Sequence, residues 1–164
     1  MGTIIMHDDA AEAIAKWMSE VVEVPEDGFP PCPFLKKSRE GGKVNVVLVD
    51  DWNLLDRNII GFIEAESRDA FVLACPASNV TLKHLEGVVE YHLKKYTKDD
   101  IWLKLFHPDQ EFPVAGIEYP VVVILKLSRL NREARKLEGL GYYDDWDHGY
   151  WRTHVGNRLK LDTD

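Results

Sequence analysis

The sequence predicts a single α+β domain: a ferredoxin-like β-α-β-α-β-β sandwich with an extra N-terminal helix and an aromatic C-terminal segment. Three observations predict it. Four short runs, Val44–Val49, Ala70–Ala74, Ile101–Phe106 and Val121–Leu127, have the length and β-branched composition of strands. Two segments between the first three runs carry apolar residues at helical spacing. The third and fourth runs are joined by a loop opening on His107-Pro108-Asp109, which predicts that they pair as antiparallel neighbours.

Taken in order, Asp8 and Asp9 cap a helix over residues 8–23, whose Ala10, Ala13, Ile14, Trp17, Met18 and Val21 form one apolar face. The four prolines of Val24–Pro33 exclude both helix and central strand. Gly41-Gly42 marks a turn into the first strand. Asp50 or Asp51 then caps a helix with the stripe Trp52, Leu55, Ile59, Phe62 and Ile63. The second strand ends at Cys75-Pro76, and Asn79 or Thr81 opens a helix with Leu82, Leu85, Val89, Leu93 and Tyr96 facing inward. Asn131–Leu140 reads as a short helix ending near Gly139 or Gly141. The segment Tyr142–His154 is so rich in aromatics that it is expected to fold back on the core. The domain thus divides into an N-terminal helix (8–23), a core (43–127) and a C-terminal extension (128–164).

The totals narrow the function classes. A chain of 164 residues is large enough to bury a core without staples. A formal charge of -8 argues against a nucleic-acid-binding surface, which needs clustered Lys and Arg. Two cysteines, Cys32 and Cys75, are too few for a disulfide framework. No apolar run of spanning length and no signal peptide are found, so no membrane partner and a cytoplasmic location are expected. Gly41-Gly42 lacks the context of a phosphate-binding loop, and no nucleophile elbow is present. A dinucleotide enzyme, a P-loop NTPase and an α/β-hydrolase are therefore disfavoured.

The segment Phe106-His107-Pro108-Asp109-Gln110-Glu111-Phe112-Pro113 carries the first candidate chemistry. A His and an Asp two apart, held by Pro108, can bind a metal, move a proton or cap a turn. Together with Cys32-Pro33-Phe34 before it and Tyr119-Pro120 after it, this segment resembles an uncharacterised bacterial family catalogued as domain of unknown function number 1415. In that family an N-terminal helix runs into Leu-Cys-Pro-Phe-Ala. A Phe-His-Pro-Asp-Tyr-Gln-Phe strand end and a Ser-Pro-Tyr-Pro segment come later. The matches fall between Trp17 and Leu127. Leu35 stands in place of Ala, Pro31 precedes the Cys, Gln110-Glu111 replaces Tyr-Gln, and the aromatic tail has no counterpart. The resemblance implies no activity; it singles out Cys32, His107 and Asp109 as positions to watch.

Adding His148 and His154 to His107 and Asp109 gives a His/carboxylate set suited to a divalent metal, the candidate cofactor. Against it, the tail spacing His-x5-His matches no common metal motif. Cys32, near Lys36, Lys37 and Arg39, is a candidate nucleophile or redox thiol, or simply a small buried hydrophobe; Cys75 reads as the latter. His84 and His92 read as structural or half-exposed. Asp50-Asp51 suits either Mg²⁺ or helix capping. Tyr142, Tyr143, Trp146, Tyr150, Trp151 and Arg152 offer a ligand pocket, a docking surface or a self-packing lid. Two functions follow. One is a binding module, for a small molecule or a protein partner that includes a second copy of the chain, using the aromatic segment. The other is a small metal-dependent or thiol-based enzyme built on His107, Asp109 and Cys32.

Overall fold

All four β-branched runs are strands. The computed structural model describes residues 16, 35–75, 80–109 and 120–161 of the chain. After α1 (Leu35–Glu40) come β1 (Val44–Leu48), a 3-10 turn (Trp52–Leu54) leading into α2 (Leu55–Glu64), and β2 (Ala70–Ala74). Then follow α3 (Leu82–Tyr96), a 3-10 turn (Thr97–Asp99), β3 (Ile101–Phe106), β4 (Val121–Lys126) and α4 (Leu127–Gly139). The last stretch is helical throughout: α5 (His148–Trp151), a π-helical turn (Arg152–Gly156) and α6 (Asn157–Leu159). Within the expected 8–23 helix, Lys16 is helical. The other residues of that helix, Val24–Phe34 with Cys32, Asn79, and Gln110–Tyr119 lie outside the described residues.

The strands form an open four-stranded sheet in the order β1-β2-β4-β3. β1 and β2 are parallel, as a strand–helix–strand crossover requires, while β4 is antiparallel to both β2 and β3. This mixed sheet with its helices is an α+β fold compatible with the ferredoxin-like sandwich, and the last two strands are antiparallel neighbours as expected.

Strand side chains alternate, so the register sorts them into two apolar layers. Val72 pairs with Val123 and Val46, and Ala74 pairs with Leu48 and Val121; these residues share one face with Phe106 and with Leu130 of α4. The opposite face presents Phe71, Leu73, Val122, Ile124, Ile101 and Leu103. It is covered by Leu55, Ile59 and Phe62 of α2 and by Leu85, Val89 and Tyr96 of α3. Phe62 is fully buried and meets Phe71 edge-on, with centroids 5.2 Å apart. Burying one such side chain contributes about 2–3 kcal/mol.

Two boundaries differ from the sequence reading. Ile63, assigned to the α2 stripe, is 39% exposed. At 100° per residue it lies roughly 90° from the centre of the buried face. The helix read as Asn131–Leu140 starts at Leu127, because its N-terminus is capped from another element. Asp100 accepts Leu127 N–H on its carbonyl at 3.0 Å, and its carboxylate accepts Ser128 N–H at 2.7 Å and Ser128 Oγ–H at 2.6 Å. Asp100 has φ 66°, a left-handed conformation that Asp tolerates better than most residues.

Candidate binding groove

The parallel pair sets up the site. Both β1 and β2 end at the same edge of the sheet, and each leads into a helix whose amino end opens there. Ligand crevices form at this kind of edge in open sheets. Asp51 caps the turn after β1, accepting Asn53 N–H at 2.7 Å. Thr81 caps α3, its Oγ1 accepting His84 N–H at 3.1 Å. Between the two runs a groove of about 920 Å3, lined by Trp52 and Asn53 on one wall and by Thr81, Lys83, His84, Gly87, Val88, Tyr91 and His92 of α3 on the other. Val80 closes one end. At the other end Tyr96 O–H and Lys95 Nζ–H both donate to Asp56 Oδ1, tying α3 to α2. The Tyr96 hydroxyl bond, followed by that of Lys95, holds the Asp56 carboxyl below its usual range.

His107 sits directly behind the closed end. It is buried, and Asp109 N–H donates to its Nδ1 at 3.0 Å. A nitrogen that accepts carries no proton, so Nε2 is the protonated one, and it donates to the Val80 carbonyl at 2.9 Å. The imidazole therefore pins the strand-end turn to the wall of the groove. Asp109 turns its carboxylate outward, 77% exposed and 3.9 Å from the ring. Both nitrogens of His107 are committed to backbone groups, which leaves no lone pair for a metal in this arrangement.

The groove's polar side chains are the Asn53 amide, the Thr81 hydroxyl, the Lys83 ammonium and the imidazoles of His84 and His92. His92 Nδ1 donates to the Val88 carbonyl at 2.7 Å, so Nε2 is its remaining ring atom for recognition. Tyr91 is 63% exposed and meets His92 edge-on at 5.2 Å; His92 in turn stacks against Tyr96 at 6.5 Å. Gly87 leaves an opening in this wall: a Cβ built there meets nothing within 4 Å.

The structure does not assemble the metal set His107, Asp109, His148 and His154. Among the described residues no group of three or more His, Cys, Asp or Glu side chains is placed to hold a metal ion. His148 Nε2 accepts from the Arg152 guanidinium at 2.7 Å, and the His154 ring lies tilted against Tyr150, centroids 4.2 Å apart. His154 is exposed overall; partial desolvation of its ring, with Lys104 and Arg158 nearby, pushes its pKa down to about 4. Asp51 is a helix cap. Cys75 is fully buried just past β2, where its N–H donates to the Pro120 carbonyl at 3.4 Å.

The aromatic tail folds back on α4. Tyr143 and Val155 pack on Ala134, joined by Tyr142, Trp146, Trp151 and Leu159. The rings interlock edge to face, Tyr142 on Tyr143 at 5.2 Å, Tyr143 on Trp146 at 4.8 Å and Trp146 on Tyr150 at 5.3 Å. Burial raises the Tyr142 and Tyr150 hydroxyl pKa values. Of the tail residues named as candidates, Arg152, His148 and His154 are exposed, and the tyrosines and tryptophans are not.

Sequence reasoning passed over Asn53, Lys83, Gly87 and Tyr91, and read His84 and His92 as structural or half-exposed. One signal was available: Gly87 interrupts an otherwise strong helical segment, where glycine costs stability, and no close approach in the structure requires it. No family model matches the chain, and neither the curated proteins nor the solved structures contain a match to it. Among the described residues no helix is long and apolar enough to cross a membrane.

Proposed function

We propose that this protein is a binding module whose ligand lies in the groove between the Trp52 turn and α3. The observation that carries the reading is the groove itself. Its volume of about 920 Å3 falls within the roughly 300–1,000 Å3 typical of small-molecule sites, and its walls mix aromatic rings with a few convergent polar groups. Those walls are fixed from behind by the His107–Val80 bond and by the Asp51 and Thr81 caps. Such support is what a preorganised site needs. This reading keeps the binding class expected from the sequence and moves it away from Tyr142–Arg152, whose rings spend their area on one another and on α4. His107 serves as a positioning residue.

The test is a ¹H–¹⁵N shift-perturbation screen of the full chain with a panel of small aromatic compounds. Shifts clustering on Asn53, His84, Gly87 and Tyr91, and lost in a Tyr91→Ala variant, support the groove. Shifts confined to 142–152 return the binding role to the aromatic tail.

A further inference from the structure

Charge is distributed unevenly around the groove. The chain carries 28 acidic against 20 basic residues, yet among the described residues no carboxylate lines the groove, whereas Lys83, His84 and His92 do. Several nearby acids are engaged elsewhere, while Asp109, at the Val80 end, keeps an exposed carboxylate. Asp51 is folded into its own turn, accepting Asn53 N–H. Asp56 is engaged by Tyr96 and Lys95. Glu86 and Glu90 lie on the other flank of α3 by helical spacing, and Glu90 pairs with Lys94 at 3.2 Å. The first turn of α3 holds no acid, so the positive end of the helix dipole adds to the same sign.

The rings supply the second half of the recognition. Tyr91 is the most exposed aromatic among the described residues with large exposed apolar side chains, and it stands one helical turn from Gly87. With no side chain at 87, a flat group can lie against the α3 backbone beside the Tyr91 ring. A bulky or branched ligand gains nothing from that gap. Resting on the groove reading above, we infer that the ligand is a planar aromatic anion, its ring against Tyr91 and Gly87 and its carboxylate, sulfonate or phosphate on Lys83 and His84. Pairing a cation with an anion partly removed from water strengthens the bond over its exposed equivalent, while the stacked ring supplies the apolar contribution.

The experiment compares 2-naphthoate with its neutral isostere 2-naphthamide, by calorimetric titration of the full chain and of three variants. Lys83→Gln and His84→Gln change exposed side chains, and thermal melts confirm that each variant folds. Gly87→Leu fills the gap. The expected result is naphthoate binding at least tenfold tighter than naphthamide, with that preference reduced at least threefold in each of Lys83→Gln and His84→Gln. Gly87→Leu blocks both probes. Equal affinity for the two probes, both blocked by Gly87→Leu, overturns the anion inference and leaves the groove reading standing. Binding that Gly87→Leu does not touch, or no binding of either probe, sinks both.

Discussion

At the scale of single residues, two histidines show how environment assigns a role that residue type leaves open. His107 gives one nitrogen to Asp109 N–H and the other to the Val80 carbonyl. Replacing it with Ala removes both bonds and leaves two part-buried backbone groups without them. The expected loss is about 2–3 kcal/mol of unfolding free energy, read from urea transitions. A change near zero means that the turn does not depend on the ring. His154 is exposed overall, but partial desolvation of its ring and the charges of Lys104 and Arg158 favour its neutral form, with a pKa of about 4 against 6.5 in the unfolded chain. Between those values the unfolded state binds a proton that the folded state does not. This histidine's contribution is therefore intact above about pH 6.5 and declines as pH falls towards 4. A His154→Gln variant should show a shallower loss of stability between pH 6.5 and 4 than the parent, measured in urea at matched ionic strength. Parallel profiles refute the assignment.

At the scale of elements, two helical glycines predict opposite outcomes. A Cβ at Gly87 meets open space, so Gly87→Ala should stabilise α3 by about 0.5–1 kcal/mol through helix propensity alone. A Cβ at Gly156 falls 2.7 Å from Cζ3 of the Trp151 ring, so Gly156→Ala forces that ring out of the satellite core and should cost about 1–3 kcal/mol. Circular dichroism melts of the two variants check both signs. The same scale shows what the sequence made legible. The four strands were readable because β-branched runs and period-2 alternation are local properties. The α4 start was not, because its cap comes from Asp100, on the far side of β3 and β4 in the chain. Asp51 and Thr81 were visible as caps only as alternatives to Asp50 and Asn79. The groove between their helices was not, since it depends on how α2 and α3 lie across one sheet face. His107 was singled out for chemistry by the sequence, but its partner Val80 is 27 residues away.

At the scale of the molecule, the apolar side chains of the described residues gather in three assemblies, one on each face of the sheet and a smaller one where the tail meets α4. The third is tied to the rest through buried Asn131, whose Nδ2 donates to the Arg158 carbonyl at 3.1 Å while Arg158 Nε donates to its Oδ1 at 2.8 Å. Arg135 Nη2 also donates to the Leu159 carbonyl at 3.3 Å; a unit that packs on α4 and outside both sheet-face cores can open separately from the sheet. Gly156→Ala should accordingly loosen the tail before it disturbs β2 or β4.

Cys75 offers a way to time that separation. Its thiol is sealed at the end of a central strand, so an alkylating reagent reaches it only when the sheet itself comes apart. Once Cys32 is changed to Ser, Cys75 is the remaining thiol of the chain. Its rate of mass gain under excess reagent then becomes a stopwatch for opening of the whole sheet, blind to fraying at either terminus. In the Gly156→Ala background that stopwatch should run at nearly its original pace while the tail amides exchange faster. A matching acceleration of both would mean that tail and sheet come apart as one cooperative body.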